Sequence, residues 1–409
     1  MKRMLAFMTI FTFLPLMAVF SAGQQEAVEE KVEIEFFLQK PEIQGIVEEM
    51  VDMFERENSS IEVEVNAVPD SKQVLLVRMA NNNMPDVFST WPNEVEYKLQ
   101  VDEGYMMDLS ETDAIRRVQP SVAETLHYKG GDYAIPISVN TMGVYYNPAI
   151  FDELGLSIPN TYEELIDVLR TVKNDGQYIP MVFSDKEPWA IGYQVVLMAG
   201  SDLSSPYTFF DEVASGKIKA SDNPDFRRVA EKTLELREYG QDDYLGTGYG
   251  QAISDFATGK AATFIQGIWA IPSIRDANPD LEFSMFPLPS TTKEETKTIY
   301  GVDFALAVSA STPHKEAAVK FVDFLTSVEM AQLYAEKDGS PSVITGVETK
   351  NEEIVRLVEL LNTGKSFEWL NFHWEPGVFD NHHKLAQKLV ATKDPDKYLA
   401  EVTELFYKK

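Results

Sequence analysis

The chain has five tryptophans, five histidines, 65 acidic residues and no cysteine. Any ligand site must therefore be built from aromatic faces, carboxylates, amides and hydroxyls rather than from thiolates. Three tryptophans stand at loop-like positions. Trp91 follows the short apolar run ending at Thr90, Trp189 sits in Glu187-Pro188-Trp189 ahead of a helical stretch, and Trp269 closes Gly267-Ile268-Trp269. Gln39 and Asp70 each follow a strand-like segment. Asp303, in Gly301-Val302-Asp303-Phe304, fits poorly as a core position and well as a hydroxyl acceptor, and the preceding glycine lets backbone approach closely. Aromatic planes beside carboxylates and amides suit a ligand with C–H faces and a hydroxyl rim. They suit a polyamine equally well, through cation–π contacts. Lys40 and Glu42 adjoin Gln39 and read as surface positions, and Tyr133 reads as either lining or core.

Other chemistries find less support. With so many acids, a carboxylate pair for glycoside hydrolysis can always be chosen, so composition says nothing for it. No Gly-x-Ser-x-Gly elbow occurs, Gly246-Thr247-Gly248-Tyr249-Gly250 lacks dinucleotide spacing, and Gly259-Lys260 lacks the rest of a P-loop. The histidines are His127, His314, His373, His382 and His383. The adjacent pair would point apart on a helix and reads as a solvated face rather than a metal site. No metal or cofactor is expected. A net charge of −29 excludes the basic footprint that nucleic acid or an anionic membrane surface requires. It also disfavours anionic ligands, for which only Lys40 and Arg78 could be nominated near the site, so a neutral ligand is favoured.

The elements that would position these residues follow from periodicity. Val32–Phe37, Ile61–Val65 and Asp86–Phe88 read as strands, with helices over Ile43–Arg56 and Lys72–Asn81 between them. That alternation means a parallel sheet with crossover helices, whose ligands bind beyond the carboxyl ends of the strands. Gln39, Asp70 and Trp91 lie there. Tyr133–Asn147 is extended, and Thr161 with Glu164 opens a helix at capping-box spacing. Further helices fall near 188–199, 224–239, 250–258 and 327–337, with one opening at Thr312-Pro313. Strands are expected over 261–266, 283–287 and 304–308, and the tail from 351 is mostly helical. At 409 residues and 44% hydrophobic, the chain should fold as more than one domain.

The first residues have a different character. Lys2 and Arg3 precede an apolar run from Met4 to Phe20, and Val19-Phe20-Ser21-Ala22-Gly23 ends it with small residues. This is the pattern of a signal peptide over 1–22, implying export, with a flexible tether over 23–31.

Together, Met84–Phe88, Tyr133–Pro136, Gly143–Asn147, Pro159–Leu165, Phe256–Ala262, Gly267–Trp269 and Gly301–Ser309 running into Pro313–Ala318 resemble, in order, the extracellular solute-binding proteins of ABC importers. The resemblance is to the family that includes maltose- and other sugar-binding proteins, and it spans nearly all of 32–409. It implies an α/β fold of two lobes, each a mostly parallel sheet flanked by helices, hinged about a central cleft. One lobe would hold 32–138 plus 288–326 and the other 139–287 plus 327–409. The implied function is non-enzymatic: capture of a mono- or oligosaccharide, delivery to a membrane permease, and action as a monomer. The implied site comprises Gln39, Asp70, Trp91, Asn140 at the crossover, Trp189, Trp269, Asp303 and Ser340. Trp369 and Trp374 are assigned to packing. Many relatives carry a lipid-anchoring cysteine after the signal peptide. Gly23 stands there, implying a soluble periplasmic protein.

Overall fold

The computed structural model describes residues 31–407 apart from 93, 349–350 and 376. The expected signal peptide and all but the last residue of the tether lie outside them.

Among the described residues nine strands order the molecule: β1 (Val32–Leu38), β2 (Ile61–Ala67), β3 (Val87–Thr90), β4 (Ile135–Tyr146), β5 (Ile179–Val182), β6 (Ala261–Gly267), β7 (Ser284–Phe286), β8 (Thr298–Val308) and β9 (Ser366–Glu368). The main path runs β2-β1-β3-β8-β4-β6-β5. β1 pairs in parallel with β2 and β3, as strands joined by crossover helices must. Ile34, Phe36 and Leu38 face one layer of core while Phe37 faces the other. Burial on both faces is why the end of this strand reads as a continuous apolar run.

β4 and β8 are the long elements, and each serves two cores. Ile135–Thr141 of β4 pairs antiparallel with β8, while Met142–Tyr146 pairs with β6 and β7. Ile137, Phe304 and Leu306 pack with Phe36, Phe54 and Phe321 in one core. Met142, Val144 and Ile299 pack with Leu165, Ile265 and Phe286 in the other. The chain thus passes between cores at Val139–Thr141 and again at Tyr300–Gly301.

Packing moves two of the expected boundaries. Leu288 and Ile299 join the second core, so 288–299 does not pack with the first. Met330, Ala331, Tyr334, Val343 and Ile344 join the first core, although the sequence placed 327 onward in the second lobe. Tyr334 stacks on Phe304 with ring centroids 5.2 Å apart, and this contact holds the helix Val328–Asp338 there. Contact with the second half resumes at Ile354 and Leu357.

Local signals account for most elements. Thr161 accepts from the Glu164 amide at 3.2 Å, and the Glu164 carboxylate reaches back to the Asn160 amide at 2.7 Å. Such a cap contributes about 1 kcal/mol to the helix Tyr162–Asp175, which ends at Gly176 with φ +79°. The helix expected at Thr312-Pro313 begins instead at Lys315, because Thr312 accepts from the His314 amide and donates to Asp86, forming a turn. No helix among the described residues is long and apolar enough to cross a membrane.

Candidate functional site

A cavity of about 530 Å³ opens between the two cores, within the range of small-molecule sites. Its first wall is the row of segments beyond the carboxyl ends of the parallel strands: Gln39 to Glu42 after β1, Val68 to Gln73 after β2, and Trp91 with Glu94 after β3. Its second wall is aromatic, with Trp189, Tyr193, Tyr249, Trp269, Trp369 and Phe372. Asn140 and Asp303, from the middles of β4 and β8, lie between the walls.

Seven of the eight residues expected from the sequence line this cavity: Gln39, Asp70, Trp91, Asn140, Trp189, Trp269 and Asp303. Ser340 does not. It is fully buried behind the wall, donating to Asp338 and standing 3.5 Å from the Asp303 carboxylate. Asp303 is 3% exposed on a strand. Tyr133 packs against the layer that contains Phe37, away from the cavity. Arg78 is also elsewhere, forked onto both Glu35 oxygens and lying over Phe37.

Lys40 corrects a surface expectation. It is 3% exposed, and its ammonium donates to Asp303, to Asp338 at 3.2 Å and to Tyr334 at 3.2 Å. Burial opposes the ammonium charge, but the two carboxylates outweigh it and raise the Lys40 pKa well above the ordinary value. Burial also raises the Asp338 pKa, with Lys40 opposing. Glu42 is likewise pushed up by burial, to about 7, against the pull of Lys40.

A second cation pairs nearby. Lys72 meets Glu94 at 2.5 Å and lies 5.5 Å above the Trp91 ring. Burial opposes its charge too, but Glu94 prevails and the Lys72 pKa rises. Both lysines of the cavity are thus bound to carboxylates. Asp70 differs. Its backbone is left-handed at φ +52°, its side chain caps nothing at the start of the helix Ser71–Ala80, and it is exposed to the cavity. A non-glycine residue in that region marks local strain, which clusters at functional positions.

The aromatic wall has Tyr193 at its centre. Its ring lies 4.7 Å from Trp369, 5.8 Å from Trp269 and 5.8 Å from Trp189, and Tyr249 stands 5.1 Å from Trp189. Trp369, expected to pack, forms part of the wall, while Trp374 packs in the core against Phe210 and Phe406. Glycine makes this geometry possible at two places. A Cβ on Gly301 would lie 2.3 Å from the Trp369 ring, and one on Gly267 2.0 Å from the Trp269 ring. The sequence did hold a signal for Tyr193. It follows Trp189 by four residues on the helix Pro188–Asp202, so both share a face. Trp369 had none, since only the fold brings β9 beside β8. His382 and His383 are buried, not solvated. Burial lowers their pKa values to about 4 and about 2, so both are neutral.

With this geometry established, the similarities of the chain are informative. Residues 49–361 match the family of bacterial extracellular solute-binding proteins. The multiple sugar-binding protein of Streptococcus mutans is 31% identical over 360 residues, covering 85% of this chain and 84% of that one. The melibiose/raffinose/stachyose-binding protein MelE of Bacillus subtilis is 27% identical over 305 residues, covering 72% of this chain and 70% of its own length. Among solved structures, RafE in complex with raffinose superposes with a TM-score of 0.83 at 29% identity, covering 92% of this chain and 99% of RafE. The apo form of RafE from Streptococcus pneumoniae gives 0.74 at 28% identity, covering 92% and 97%. The chain belongs to the bacterial extracellular solute-binding protein family. Its fold is the two-domain α/β architecture of those proteins, and its overall arrangement is nearer the raffinose complex than the apo form.

Proposed function

We propose that the protein captures a neutral oligosaccharide of the raffinose and melibiose kind between its two halves and delivers it to the permease of an ABC importer. The observation that carries this reading is the pairing of walls. Six aromatic side chains of the second half face amides and carboxylates of the first, and both cavity lysines are already neutralised. Aromatic faces take the C–H surfaces of sugar rings, while Asp70, Asp303, Asn140 and the free oxygen of the Gln39 amide take hydroxyls. The names of the relatives support the ligand class.

The same reading assigns 32–138 with 301–347 to one lobe, and 140–300 with 351–407 to the other. Contacts with both lobes would stabilise the closed form, and only those differential contacts can drive closure. The protein acts as a monomeric, non-catalytic receptor, exported by the segment 1–22 and carrying no cysteine-linked lipid.

Calorimetric titration of the purified protein with raffinose, stachyose, melibiose, maltotriose, a sugar phosphate and spermidine tests this. Saturable heat with one of the neutral sugars and none with the phosphate is expected. Binding of spermidine alone would overturn the carbohydrate reading while leaving a receptor. Cleavage of an oligosaccharide during the titration would overturn the non-catalytic one.

A further inference from the structure

A buried line of polar groups crosses the molecule behind the cavity. Asp338, at the end of the helix Val328–Asp338, accepts from Lys40 at 3.2 Å and also from Ser340. Lys40 donates to Oδ2 of Asp303. Oδ1 of Asp303 accepts from Asn140 Nδ2 at 3.1 Å, and Oδ1 of Asn140 accepts from the Trp369 indole at 3.1 Å. Lys40, Asp303, Asn140 and Trp369 are each at most 7% exposed, and all four line the cavity. The line starts in the first core, passes through both shared strands and ends in the aromatic wall.

Both Asp303 oxygens are therefore held, one from each side. The Trp369 indole can donate only, which fixes Asn140 with its oxygen toward Trp369 and its amide nitrogen toward Asp303 on β8. Reversing the Asn140 amide would set its oxygen against a carboxylate and its NH2 against an indole N–H, with neither contact bonded. The orientation of the Trp369 ring thus depends on where the Asp303 carboxylate is held, and Lys40 holds its other oxygen.

We propose that Lys40 is a positioning residue. It holds the Asp303 carboxylate and, through Asn140, the Trp369 indole as one unit, so that a hydroxyl acceptor and an aromatic face meet the ligand already in register. This rests on the carbohydrate reading for the identity of the ligand, but not for the link itself. Every other titratable group facing Asp303 is acidic or phenolic: Glu42 from the turn after β1, Tyr334 and Asp338 from the helix Val328–Asp338, and Tyr249 from the helix Tyr249–Ala257. Without Lys40 no cation holds Oδ2 of Asp303, and its remaining side-chain donors are Asn140 at 3.1 Å and Ser340 at 3.5 Å.

The test uses the variant pair Glu42→Gln/Asp338→Asn as reference, which leaves Asp303 as the one carboxylate of the cluster. Lys40→Met is then added to it. Raffinose affinity is measured by calorimetry. Trp369 emission of the ligand-free protein is isolated by subtracting the corresponding Trp369→Phe protein. With Lys40→Met, affinity should fall by about tenfold relative to the reference, and the Trp369 emission should shift, because Asp303 loses the donor on Oδ2 that holds it against Asn140. If Lys40→Met does not fold, Lys40→Gln keeps a donor without the charge and should give a smaller change in the same direction. Equal affinity and equal Trp369 emission with and without Lys40 would overturn the proposal. Failure of every sugar to bind, with the Trp369 emission change present, would overturn the carbohydrate reading and leave the positioning role standing.

Discussion

The two walls of the cleft are made by different means. The first is assembled from three consecutive strand ends within some sixty residues of sequence, Gln39 to Glu94. Its side chains are polar because the ends of parallel strands, with the turns leading into the next helices, are where a buried sheet meets water. The second wall draws on Trp189, Tyr249, Trp269 and Trp369, spread over 180 residues on two helices, the short turn after β6 and the start of the short turn after β9. Topology specifies the first wall; packing specifies the second. Each wall should therefore fail in its own way when disturbed.

The largest effect should come from the support beneath the aromatic wall. Arg237 forks onto Asp185 at 2.8 and 2.9 Å and reaches Gln194 at 2.8 Å, with Asp185 fully buried. Asp185→Ala leaves the guanidinium buried and unpaired, and should lower stability in chemical denaturation by about 3–5 kcal/mol. A loss below about 1 kcal/mol would mean that water reaches Arg237 and that the second wall is looser than described.

Next comes the wall itself. Trp269→Ala removes one aromatic face and should weaken sugar binding by about 1–3 kcal/mol, read by calorimetry. Unchanged affinity in a folded variant would remove Trp269 from the site. On the polar wall the expected effect is smaller. Asn tolerates the left-handed backbone at position 70, so Asp70→Asn keeps the conformation and deletes only the charge. Affinity should fall by about 1 kcal/mol with the melting temperature unchanged. A large drop in melting temperature would instead make Asp70 structural.

The last expectation concerns Glu42. Its pKa is raised to about 7 in the folded protein from an ordinary 4.5. Between those values the folded state binds the proton that the unfolded state has lost. This contribution to stability is therefore greatest in acid and declines as pH rises from about 4.5, levelling above about 7. Melting temperatures of the protein and of Glu42→Gln should converge toward pH 5, with the Gln variant gaining as pH rises to 7.5. A constant difference across that range would show that Glu42 keeps an ordinary pKa.

The same contrast explains what could be read in advance. Gln39, Asp70 and Trp91 were accessible because strand periodicity locates strand ends, and strand ends locate ligands. Asp303 was accessible because an acid between Val302 and Phe304 violates a strand's core pattern. Trp369 was not, since an indole in an apolar tail looks the same whether it packs or lines a cleft. Lys40 was misjudged for a related reason. A lysine after a strand is ordinarily solvated, and its burial depends on two aspartates, 263 and 298 residues away, arriving at the same point. Nor did sequence show that the helix Val328–Asp338 returns to the first core, because an amphipathic helix states that one face is buried but not against what.

Composition, periodicity and motif order by themselves determined an acidic, cysteine-free chain, most of its elements and the parallel pairing of β1 with β2 and β3. They also determined the strand ends that form one wall of the cleft. These are local quantities, set by neighbours within a turn or a strand. Tertiary structure alone decided which aromatic rings converge on Tyr193, which cations are already neutralised, and how one hydrogen-bonded line joins the two cores. Those depend on contacts between residues hundreds of positions apart, whose burial removes water and so turns side-chain type into a definite charge and orientation.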